Sequence, residues 1–211
     1  MELLQDTPGT AAYLAADDVI DHGHPLVRET ARRLREGTGT GGGPHDYARA
    51  AFDFVRDTIP HSGDADDPRV TWRASDVLRL RTGICHAKSH ALAALLRAEG
   101  VPTGLCYQRL ADEDGSAPLL HGLVAVLLPG RQDAQGGGEP SRWARQDARG
   151  NKPGVDAHFS LERERLAWRV RPEFGEVDYP AVYAAPAPSV LESLQRATDR
   201  RHLWELLPAA L

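Results

Sequence analysis

The sequence predicts an α+β fold, helices first and an antiparallel meander after them. Three observations predict it. Apolar residues recur at helical spacing in the first half, as in Leu26 to Leu34, where Val27, Ala31 and Leu34 share a face. Two strand-like runs follow, 103–110 and the nearly all-apolar 119–128, with the turn Asp112-Glu113-Asp114-Gly115 between them. A third strand-like run, 142–147, lies beyond a glycine-rich stretch. Helices followed by adjacent strands indicate an α+β architecture.

The elements are justified in order. Residues 1–36 read as helical, and Gly37 to Pro44 as a flexible linker. In the next helix Tyr47, Ala50, Ala51, Phe54 and Val55 share a face, and the helix stops near Ile59-Pro60. Residues 61–70 are a polar loop. A short helix runs from Ser75 or Asp76 to Leu80, with Ser75 as its N-cap. A longer one starts at Cys85 and continues through Leu92, Leu95 and Leu96 to Glu99. Gly100 suits its C-cap and Pro102 prevents its continuation. The run 119–128 is nearly all apolar, which predicts a central strand. A glycine-rich loop occupies 135–140, and two short helices are expected at 190–197 and 203–207. The domain division predicted is an N-terminal helical extension with its linker (1–43), a main domain (44–190) and a helical tail (191–211).

The chain has 211 residues and a formal net charge of −5, with both signs interspersed. That length suits one domain with appendages. A nucleic-acid partner would need a concentrated basic face, so none is expected. No apolar run approaches a membrane span, and Met1 to Asp6 lacks the basic and apolar pattern of a signal peptide, which predicts a cytoplasmic protein without membrane association. The two cysteines are Cys85 and Cys106. A reducing compartment disfavours a bridge between them. Cys106, in a strand, reads as a small core hydrophobe.

Cys85 carries the most chemical information. It stands in Gly83-Ile84-Cys85-His86-Ala87-Lys88-Ser89, at the start of the longer helix. Free N–H groups and the positive end of the helix dipole favour a thiolate there, and the same N–H groups can receive an oxyanion. A cysteine nucleophile needs a base and a group to orient it. His22, His24, His45, His61, His158 and His202 sit in polar contexts. His86 and His90 turn away from Cys85 around its own helix. His121 lies in the most apolar strand, where a histidine must be hydrogen-bonded, and Gly122 beside it leaves room for a backbone or a substrate. Asp147 ends the third strand, on the face of Trp143, and could accept the second imidazole N–H; Asp156 is the reserve. A metal reading rests on His86 and His90 at helical spacing, but Ala87 stands where a zinc protease would need a glutamate and Lys88 would repel a cation, so no metal or other cofactor is expected. No run has the alternating acidic pattern of a calcium loop.

These residues resemble bacterial transglutaminase-like proteins, relatives of the papain-like cysteine enzymes. The resemblance is carried by Gly83 to Ser89, by Leu92-Ala93-Ala94-Leu95-Leu96-Arg97-Ala98-Glu99-Gly100-Val101-Pro102, and by His121-Gly122 and Trp143 to Asp147 in Cys–His–Asp order. It spans residues 45–190. The His121–Asp147 separation exceeds the family's usual hairpin, and the glycine-rich loop accounts for the excess. The resemblance implies a nucleophile helix packed on an antiparallel sheet and a Cys85–His121–Asp147 triad. It implies attack on an amide of a peptide, a protein or a small molecule, through a thioester. The second oxyanion donor would be Trp72 or His61, with Trp143 near the substrate. The alternative is a catalytically silent binding or scaffold module of the same fold.

Overall fold

The structure is a computed structural model that describes residues 1–129 and 141–211. The glycine-rich loop expected at 135–140 lies outside the described residues. In chain order the elements are β1 (Leu4–Gln5), α1 (Pro25–Gly37), α2 (Pro44–Thr58), α3 (Ala74–Leu80), α4 (Cys85–Ala98), β2 (Thr103–Leu110), β3 (Leu119–Leu128), β4 (Arg142–Gln146), β5 (Val177–Asp178), β6 (Ala181–Val182), α5 (Pro188–Arg196) and α6 (Arg200–Leu206).

A four-stranded antiparallel sheet, ordered β4-β3-β2-β5, lies against α4. The expected strand at 119–128 is an inner one, as its apolar composition requires. Helix α4 is buried from Cys85 to Arg97, with the sheet on one side and α1, α2 and α3 on the other. Alanines at 87, 91, 93 and 94 let these neighbours approach closely, while Leu92, Leu95 and Leu96 fill the space against Leu105, Tyr107 and Val124. The opposite sheet face carries a smaller cluster of Tyr13, Cys106, Leu123, Ala125 and Val182. Cys106 is therefore the core hydrophobe expected. Arg97 crosses between the layers, its guanidinium donating to the carbonyls of Ala15, Thr103 and Ala184 (each within 3.0 Å).

Several expectations are corrected. Residues 1–24 are not an α-helix. Pro8, Gly9 and the Asp17-Asp18 pair interrupt the chain there, and it forms β1, one 3-10 turn and a loop in which Asp17 accepts from the N–H groups of Val19 and Ile20. In α2 the inward face is Tyr47, Ala48, Ala51, Phe52 and Val55, so Ala50 and Phe54 sit at its margin. Helix α3 begins at Ala74 after Arg73, and Ser75 does not cap it; the Ser75 N–H is instead taken by the Asp21 carboxylate at 3.0 Å.

Candidate active site

Helix α4 opens at Cys85, with Ile84 as its N-cap residue. Its first backbone bond runs from the Lys88 N–H to the Ile84 carbonyl, so the N–H groups of Cys85, His86 and Ala87 have no partner within the helix. The entering chain is fixed by its neighbour: His61 and Gly83 form a parallel bridge, and the Ser62 N–H donates to the Gly83 carbonyl at 3.1 Å. A side chain at Gly83 would lie 3.0 Å from the Ala87 methyl and 3.1 Å from the Thr71 hydroxyl, so this approach requires glycine.

Across from α4, the pairing of β3 with β4 ends at Val124 and Gln146. Where β4 leaves the sheet, the Gly122 N–H donates to Cys85 Sγ at 3.5 Å. Gly122 does leave room, and the occupant is the His86 ring. That imidazole donates from Nε2 to the Leu120 carbonyl at 3.0 Å, tying the start of α4 to the strand end that carries His121. His86 thus faces away from the sulfur, as its helical position predicts, yet it sets the distance between helix and strand.

His121 donates from Nε2 to Asp147 Oδ2 at 2.8 Å, and both side chains are almost fully buried. Asp147 stands one residue beyond β4. Its carboxylate also accepts the Ala167 N–H at 3.0 Å and the Arg149 N–H at 3.1 Å. Burial would raise its pKa, but the imidazole and these two N–H groups hold it below the ordinary carboxylate value. Burial alone would neutralise His121; the Asp147 carboxylate and the Cys85 sulfur outweigh it and raise the imidazole to about 10. Burial likewise opposes a Cys85 thiolate, and His121 with the Gly122 N–H overcomes it, so this thiol is lowered. Cys106, with no such partners, is pushed up to about 12 by burial. The contrast between two buried cysteines isolates what the His121 neighbourhood does.

Other residues complete the surroundings. Trp168 stands edge-on to the His121 ring, centroids 5.0 Å apart, with the Arg149 guanidinium 5.1 Å from its own centroid. Neither Trp168 nor the Ala167 N–H announces itself in the sequence: Leu166-Ala167-Trp168-Arg169 has no strand or helix period. Lys88, buried one turn along α4, donates to the carbonyls of Ile59 (2.5 Å) and Arg56 (3.3 Å) at the end of α2. Burial and then Arg149 push it down to about 7.

The expected site residues divide. Cys85, His121 and Asp147 are brought together, and His61 is brought beside Gly83. Trp72 is not: its indole stacks with Arg73 at 4.6 Å, and its carbonyl accepts from His90, more than a turn along α4 from Cys85. Trp143 pairs with Leu127 and packs on Tyr13 (4.9 Å) in the far-face cluster, because strand alternation ends at Gln146 before Asp147 is reached. His86 and His90 each spend a ring nitrogen on a backbone carbonyl, which leaves no shared metal geometry. Among the described residues no group of three His, Cys, Asp or Glu side chains could hold a metal ion. Arg149 and Lys152 both pair with Asp64, and Asp156 is bound by His158 and Arg165 at the surface. No helix among the described residues is long and apolar enough to cross a membrane.

The model of the transglutaminase-like superfamily matches residues 28–148. A solved structure from Cytophaga hutchinsonii, described as a "Putative Cysteine Protease", is similar at 19% identity and a TM-score of 0.48. The match covers 68% of this chain but only 43% of that one, so this chain spans less than half the length of that solved structure. No curated protein matches. The family model covers more than half of the sequence, from α1 through the strand that delivers Asp147, and the chain belongs to the transglutaminase-like superfamily.

Proposed function

We propose that this chain is a cysteine-dependent enzyme that hydrolyses an amide or transfers its acyl group, acting on a peptide or glutamine-type substrate. The observation that supports it most is the ordered row Asp147–His121–Cys85. His121 Nε2 is given to the carboxylate, which leaves Nδ1 for the sulfur, and the sulfur sits at the first position of α4 with the Gly122 N–H upon it. The thiolate attacks the substrate carbonyl carbon. A C–S bond forms and the carbonyl π pair moves onto oxygen. When that pair returns, the C–N bond breaks and the amine leaves with the proton of the His121 imidazolium. The product is a thioester and a neutral imidazole. Water, or a second amine, then gives a proton to His121 and its lone pair to the thioester carbon, and the Cys85 thiolate is released. Asp147 holds the imidazole in one tautomer and stabilises its cation throughout.

The test is the pH dependence of Cys85 alkylation by iodoacetamide, with Cys85→Ala reporting any background from Cys106. The wild-type midpoint is expected well below the free-thiol value of about 8.5. Its sign follows from the pair: reactivity is retained above the depressed value and lost as pH falls through it. His121→Ala leaves burial unopposed and should move the midpoint upward. A wild-type thiol that reacts only above about pH 8.5 would instead assign the chain to the silent binding modules of this fold.

A further inference from the structure

A thioester mechanism needs two donors for the carbonyl oxygen as it becomes an oxyanion, and beside the free N–H groups at the start of α4, with Cys85 first among them, a second donor from outside the helix has yet to be placed. The Gly122 N–H is already engaged by the sulfur, and the indole of Trp72 is held elsewhere by Arg73. The geometry points to the Nε2–H of His61 as the second oxyanion donor, a catalytic residue in addition to the triad; this rests on the thioester reading above.

Four observations carry it. His61 is bridged to Gly83, two residues before Cys85, so its segment runs beside the end of α4 from which the free N–H groups emerge. Its Nδ1 accepts the Gly63 N–H at 3.2 Å, which puts the ring proton on Nε2. The residue is only 9% exposed, and among the described residues its ring bonds the Gly63 N–H alone, at Nδ1, which leaves Nε2–H free for another acceptor. Nε2 is not sealed inside the protein: it is the reachable edge of a mostly buried ring, open to solvent or to a substrate oxygen. Finally, burial and then the Arg149 guanidinium push His61 down to about 3, with the His121 cation adding to the effect. The ring therefore stays neutral at working pH and offers a hydrogen bond without competing with His121 for the proton. Asp64, which opposes that shift, is itself held by Arg149 and Lys152.

The test uses p-nitrophenyl acetate, whose acylation of Cys85 forms an oxyanion, beside iodoacetamide, whose reaction forms none. His61→Asn keeps an acceptor for the Gly63 N–H but removes the distal donor. It is expected to lower the p-nitrophenolate burst rate about 100-fold, with KM and the alkylation profile unchanged. His61→Gln, which restores an N–H near the Nε2 position, should recover part of the loss. An unchanged burst rate in His61→Asn would overturn the assignment while the triad stands. A parallel loss of alkylation would also overturn it, because the histidine would then be building the thiol environment. If wild-type Cys85 itself fails to alkylate below the free-thiol range, the thioester reading falls first, and the two failures are thereby distinguished.

Discussion

Asp147→Asn is expected to lower the acyl-transfer rate by about 10⁴-fold while the protein remains folded. The carboxylate receives three N–H donors, from His121, Arg149 and Ala167. A carboxamide has one accepting oxygen, and its NH₂ must face either the imidazole together with the Ala167 N–H, which share Oδ2, or the Arg149 N–H at Oδ1. If it faces His121, the ring turns over its tautomer and presents a proton to the thiol instead of a lone pair. If it faces the backbone, a buried donor meets a donor. Either outcome removes the stabilised imidazolium, so the alkylation midpoint of Cys85 should rise together with the loss of rate. The stability cost is about 3 kcal/mol, the lower end for breaking a buried charged pair, and is measurable by urea unfolding. A near-wild-type rate would mean that another group orients His121.

Gly122→Ala has the largest expected structural effect at the site. Its backbone is not in the left-handed region, so the glycine serves space and not φ. An added methyl carbon would stand 2.3 Å from His86 Nδ1 and 3.0 Å from His86 Cα. The second contact is to backbone, so rotating the imidazole aside does not relieve it. The start of α4 must withdraw from β3, which lengthens the 3.5 Å contact between the Gly122 N–H and the sulfur. Overpacking of this kind costs about 1–3 kcal/mol. The Cys85 midpoint should climb toward that of an ordinary buried thiol. Combining Gly122→Ala with His86→Ala should return part of the stability, since the ring is the nearer obstacle, and a double-mutant cycle would measure that coupling. Strictly additive losses would show that the clash is not with His86.

What the sequence made legible follows from range. The strands at 103–110 and 119–128 coincide with the observed ones, because short runs bounded by turn residues need no distant information. The Cys85 helix is legible for the same reason, and its start matters most, since it fixes where the thiol lies against the free N–H groups. Cys85, His121 and Asp147 were recognisable by residue type and chain order, and the structure places them together. By contrast β1, β5 and β6 have two residues each and exist only through remote partners, such as Leu4 with Ala181. No local period encodes such a pairing. Trp168 was hidden likewise: it reaches His121 from a segment without regular structure, 47 positions along the chain by the difference of their numbers. Trp72 and Trp143 show the converse, residues of suitable chemistry that tertiary packing directs elsewhere.

The buried guanidinium of Arg97 has a consequence for how the molecule comes apart. One side chain closes carbonyls of the N-terminal segment, of β2 and of the chain just past β6. Peeling away either terminal segment would strand a charge in the interior with open valences, a cost borne by every partially opened form. The N-terminal segment and the chain past β6 are thus coupled to the helix that bears Cys85, and unfolding should proceed as one cooperative event, with Cys85 thiol reactivity and global stability lost at the same denaturant concentration.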